Sequence, residues 1–277
     1  MHDHLSHGAS FPWLTAVVYL VLAGLWVTFL YGVHVQKERH RCWSPWRTFS
    51  WSAGIVAIAI ALYPPLMHGA HIDFRLHMVV HLLLGMLAPL GLVLAAPVTL
   101  AIRTLPTSGA RRLIQVLSFP LVQFISHPVA AMLLNVGAMY VLYMTPLYGL
   151  TLHSGWVSAF VHWHFLAAGY LFVWSIAGPD HAPGRPNLRF RLGVLFVSLG
   201  AHATLGKVMY VYGWPRNSPH DLEQIQAGAQ LMYYGGNIAE LILIIAFFAL
   251  WFRQTTETPH SERRLSRSRV SALTLHK

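Results

Sequence analysis

The chain has one cysteine and nine acidic residues among 277 positions, and charged residues of either sign make up only 10% of it. A soluble domain carries about 25% charged residues, because a globule must cover itself with groups that bind water. That scarcity excludes an ordinary water-soluble enzyme, and a hydrophobic content of 55% with mean hydropathy +0.50 excludes a disordered chain. Cys42 standing alone excludes an intrachain disulfide and any Cys-x-x-Cys metal or redox site. The ~10-residue alternating strands of an outer-membrane barrel are lacking too. An all-α integral membrane protein is left. What the sequence does have in quantity is histidine, eighteen residues against nine acids.

A hydrocarbon core of about 30 Å takes roughly 20 apolar residues as a helix. Seven runs meet that ruler: Phe11–His34, Phe49–Met67, Leu76–Ile102, Val129–Met144, Gly155–Ala177, Leu192–Gly206 and Gly228–Phe252. The fourth and sixth are the shortest. The first run is too long for a signal peptide and has no Lys or Arg in Met1–Ser10, so it is read as a retained span. Sixteen of the nineteen basic residues fall in alternate loops and in the segment after the last run; only Arg75, Lys207 and Arg216 lie on the other side. Lys and Arg collect on the cytoplasmic side, which predicts an outer N-terminus and a cytoplasmic C-terminus. The formal charge of +10 is therefore a topology signal and implies lipid rather than nucleic acid as the partner.

The expected organisation is a histidine-rich outer tail (1–10), a seven-helix domain (11–252) and a basic tail (253–277), disordered or at the lipid surface. Arg111–Ile125 mixes basic and apolar residues and is expected to lie on the inner membrane surface. No internal repeat supports an inverted-repeat transporter.

Histidines follow the opposite asymmetry: twelve of the eighteen fall on the outer side or in the outer leaflet. A polar ring inside a span is costly, and by default a functional candidate. His77 and His81 are four apart, one above the other on a helix. By the helical rise His81, His162 and His202 lie roughly 6–10 Å inside their spans, at one depth. The expected site is thus His77, His81, His162 and His202, with Met209, His164 and Asp221 as weaker members. His164 sits about 200° around the helix from His162 and cannot face the same centre. A histidine in a span also serves as a hydrogen-bonding core residue, and that reading stays open for each of them. Imidazole is the commonest metal ligand but does not name the metal. Nearby methionines without thiolate favour copper. His2, His4 and His7 form either a tail that collects Cu(II) or Zn²⁺ or a solvated one. Glu240, an acid near the middle of the last run, handles protons or serves as neutral hydrogen-bonding glue.

Several stretches carry a family resemblance: His77 to Pro89, Ala96 to Arg103, His162 to Gly169 leading into Leu171–Trp174, Gly178-Pro179-Asp180, and Gly228 to Glu240. They resemble the multi-span CtaG family of cytochrome c oxidase assembly factors, over spans three to seven. The resemblance implies a bacterial plasma-membrane protein that helps mature haem-copper oxidases through copper delivery. Its partners would be oxidase subunits and a soluble periplasmic copper chaperone. His77, His81 and His162 stand where the family's histidines stand; His164 is an extra residue, and Val161 occupies a position where the family often has Glu. An assembly factor is expected not to be an enzyme, and an intramembrane hydrolase is a remote alternative because no serine nucleophile motif accompanies the histidines. The competing readings are a haem-b electron-transfer protein with two axial histidines and a proton- or metal-coupled transporter using Glu240.

Overall fold

The computed structural model describes residues 12–180, 184–216 and 218–274 and, among these, contains helices and no strand. The chain begins with α1 (Pro12–Glu38), α2 (Pro45–Ala61) and α3 (Pro64–Ile72). α4 (Phe74–Leu82) passes through a π-helical turn at Leu83–Leu87 into α5 (Ala88–Leu94), and α6 (Pro97–Thr104) follows. Two short helices, α7 (Thr107–Leu117) and α8 (Pro120–Ile125), precede α9 (Pro128–Met132). A second π-helical turn at Leu133–Gly137 leads into α10 (Ala138–Met144) and α11 (Leu147–His153). The long helices α12 (Gly155–Ala177), α13 (Leu188–Tyr212) and α14 (Leu222–Thr274) complete the bundle.

Among the described residues, five stretches are long and apolar enough to cross a bilayer: Thr15–Glu38, Phe74–Thr104, Gly155–Ala177, Leu188–Tyr212 and Leu222–Arg253. The second expected span is bent within its bounds, and the fourth, which ends at Met144 as expected, is followed by a sharp bend. Pro45–Ala61 and Pro64–Ile72 meet at 56°, and Pro128–Met144 and Leu147–His153 at 78°. Proline explains both breaks: the residue before it is pushed out of the helical region, and Tyr63 and Thr145, preceding Pro64 and Pro146, are both extended. The sixth span, expected to be short, is 25 residues long. Asn187 caps it by accepting from the Phe190 amide, and Gly213 ends it with φ of 63°, the usual left-handed stop.

The expected surface helix occurs as two pieces, α7 and α8, separated before Pro120 and burying no residue. The expected end of the last span at Phe252 is passed without a break, for the backbone of α14 continues as helix through Thr274.

Packing is by close backbone approach at small residues. A Cβ on Gly169 of α12 would collide with the carbonyl oxygen of Gly85 in the first π turn, and one on Gly91 of α5 would collide with the backbone of Gly54 in α2. Four apolar cores result among the described residues, two of which flank the expected site. One gathers Phe74, Met78, Tyr143, Tyr148 and Met209 near the end of the bundle poor in basic residues; the other gathers Leu90, Phe172, Trp174 and Phe247 toward the basic end. Large apolar side chains such as Trp156, Phe196 and Ile245 point outward, as lipid-facing residues do.

Candidate functional site

The basic-poor half of the bundle holds two polar clusters inside apolar surroundings. The outer one is built on the 78° bend. Tyr143 lies at the end of α10 and Tyr148 on α11, and the break between them lets both phenols approach α4. Tyr143 shares a 3.1 Å hydrogen bond with His77 Nε2, and the His77 ring stands edge-on to Tyr148 at 4.9 Å between centroids. Tyr148 in turn shares a 2.9 Å hydrogen bond with His220 Nε2, from the turn before α14. His220 is buried, and that burial, partly opposed by a hydrogen bond with the Gln224 side chain, lowers its pKa from the ordinary histidine value.

The deeper cluster surrounds a cavity of about 30 Å³, roughly the room one water molecule takes in the liquid. His81, Asn135, Ser198, His202 and Glu240 line it, from four different segments of the chain. His81 packs edge-on against Phe165 and Tyr143, and its buried Nε2 has no hydrogen-bond partner. Glu240 Oε1 lies 3.0 Å from His202 Nδ1, but off the direction of a ring N–H, so neither nitrogen of His202 completes a hydrogen bond. The contact is electrostatic. A buried polar atom left this way costs on the order of 1–3 kcal/mol, which is why such atoms are uncommon.

The other expected members go elsewhere. His162, half-buried on α12, donates from Nδ1 to the Ser158 carbonyl at 2.7 Å, which leaves Nε2 for another partner. His164 donates from Nε2 to the Leu134 carbonyl in the second π turn at 2.9 Å. Its ring ties α12 to that turn and does not line the cavity. Met209 is fully buried in the tyrosine-rich core, and Asp221 is exposed, accepting from the Gln224 amide at the start of α14. Val161 packs in the same core as Met209. His2, His4 and His7 lie outside the described residues. Among the described residues, no three His, Cys, Asp or Glu side chains are grouped closely enough to hold one metal ion. His81, His202 and Glu240 therefore line a common cavity without being drawn onto one centre.

Residues 27–254 match the model of the cytochrome c oxidase caa3 assembly factor family, Caa3_CtaG. The chain belongs to this family. The match takes in both polar clusters and extends upstream of the recognised stretches into α1. Uncharacterized proteins of Mycobacterium bovis and Mycobacterium tuberculosis are each 29% identical to this Caa3_CtaG member over 251 residues, covering 84% of its length. One of Mycobacterium leprae is 31% identical over 134 residues, or 44% of the chain. The chain spans 38% of the first two relatives and 20% of the third. No solved structure matches it.

Sequence reasoning had passed over Tyr143, Tyr148, Asn135 and the pairing of His202 with Glu240. Tyr143 and Tyr148 are five apart, a spacing that brings no two residues together on a straight helix. Only the break at Thr145 makes them neighbours.

Proposed function

We propose that this chain takes up a copper ion in the outer half of the bacterial plasma membrane and releases it to an immature cytochrome c oxidase subunit. Membership of the oxidase assembly family supports the setting. The observation that carries the copper reading is the unpartnered Nε2 of His81 facing the same small cavity as His202 and Glu240. Two imidazoles and a carboxylate are a donor set suited to copper, and an arriving cation would satisfy nitrogens that nothing else satisfies. His77 and His162 stand along the approach, and the N–H of His162 that donates to a carbonyl is the arrangement that orients a ligating ring. A donor must let go. Ligands spread around a cavity suit transfer better than a closed four-ligand cage.

The same reading counts each bent pair as one span, giving seven, with the N-terminus outside. It places the histidine-lined half toward the compartment where a soluble chaperone would deliver copper. A haem macrocycle finds no support in a cavity of about 30 Å³.

The test is copper retention by the purified chain under chelator competition, with oxidase maturation measured in the same membranes. His81→Ala and His202→Ala are expected to weaken retention by about 10–100-fold each and to leave the oxidase short of copper. Undiminished retention and maturation in the double variant would overturn the reading.

A further inference from the structure

The basic end of the bundle carries a second, larger cavity of about 870 Å³, which shares no lining residue with the cavity at His81 and His202. Three arginines from three separate helices line it: Arg47 of α2, Arg103 of α6 and Arg253 of α14. Among the described residues none of them makes an ion pair. The nearby carboxylate, Asp180, spends its oxygens on the Val98 and Thr99 amides and the Thr99 hydroxyl at the start of α6. Arg47 is held in place over the Trp43 ring at 4.9 Å, and the Arg103 carbonyl accepts from Gln36 and Arg39. Arg47 is thus fixed against the wall, Asp180 acts on it through space without pairing, and the three cations repel one another.

The rest of the wall is apolar. Ile242, Ile245, Ala246, Ala249 and Leu250 of α14 form one side, and Ile242 and Ile245 are 41% and 61% exposed on the lipid-facing surface. A free phosphate needs no such wall, and a plain hydrocarbon chain needs no cations. Basic pockets between membrane helices on the cytoplasmic side are where anionic headgroups bind. We propose that this cavity holds one anionic phospholipid, its phosphate among Arg47, Arg103 and Arg253 and an acyl chain along α14.

The occupant ties α2, α6 and α14 together at the basic end. Each cation close to an anionic surface contributes about 1 kcal/mol, or roughly fivefold in affinity.

The experiment is native mass spectrometry of the full chain from nanodiscs of phosphatidylglycerol, phosphatidylcholine or an equal mixture. One phosphatidylglycerol retained per chain, at least about tenfold over phosphatidylcholine, is expected from two or three such contacts. Arg103→Gln with Arg253→Gln should bring the two lipids level. Arg111→Gln with Arg112→Gln, which removes the same charge from α7, should leave the preference intact. Ala249→Trp should expel the lipid by filling the apolar wall while inorganic phosphate binding survives. Equal retention of both lipids, or equal loss in the two arginine pairs, overturns the proposal in favour of an ordinary basic membrane face. Full displacement by millimolar inorganic phosphate overturns it in favour of a free-anion site.

Discussion

Glu240 Oε1 of α14 stands 3.0 Å from His202 Nδ1 of α13, with both side chains almost wholly withdrawn from solvent. An intramembrane carboxylate must be neutralised, paired or turned to a cavity, and Glu240 both faces the cavity and meets an imidazole. Glu240→Gln keeps the volume and replaces the carboxyl group with an amide. If the acid supports copper on His202, retention under chelator competition falls by about 10–100-fold while helix content stays the same. Unchanged retention would leave Glu240 as packing between two helices.

Gly236, one turn before Glu240, leaves the space that the His202 ring fills. A Cβ there would overlap the imidazole. Gly236→Ala is therefore expected to copy His202→Ala in copper retention and oxidase maturation, although it removes no polar group. Wild-type retention by the alanine variant would show that the ring has room the structure does not grant it.

His164 and His81 should separate two measurements. His164→Ala strands the Leu134 carbonyl and costs on the order of 1–3 kcal/mol of stability, read as a lowered melting midpoint, with copper retained per folded molecule unchanged. His81→Ala removes a nitrogen that has no partner, so copper retention falls more than stability does. The same ranking in both assays would contradict this division.

The approach of α12 to the first π turn sets a steric test. At Gly169 an added methyl meets the backbone oxygen of Gly85, which has no rotamer to yield, whereas Gly193 on α13 has nothing within 4 Å of the same position. Gly169→Ala is expected to cost about 1–3 kcal/mol or more by overpacking. Gly193→Ala should be neutral or stabilising by up to about 1 kcal/mol from helix propensity. Thermal melting in one detergent compares the two.

His220 supplies a pH dependence. Burial disfavours its charged form and lowers its pKa, so the unfolded chain binds the proton more readily. Its contribution to stability is complete above the ordinary histidine value of about 6.5 and is lost as pH falls from there through the depressed folded value. The melting midpoint should drop over that window, and His220→Gln should flatten the drop. An identical slope in the variant would assign the effect to another group.

Composition and run length were enough to determine a helical membrane protein, the Gly155–Ala177 span to its last residue, and the motifs that mark the family. Pro64 and Pro120 even carried break points, but a reading by apolar run length passes over them, because a single proline barely changes the mean of a twenty-residue window. The partner of each histidine was a matter for tertiary structure alone. In a helix apolar all round, no polar stripe shows which face turns inward, so spacing could relate His77 to His81 but could not say that one meets Tyr143 and the other an unpartnered cavity wall. That was decided by the bend at Thr145, by the backbone contact at Gly169, and by the space at Gly236 that lets His202 reach Glu240.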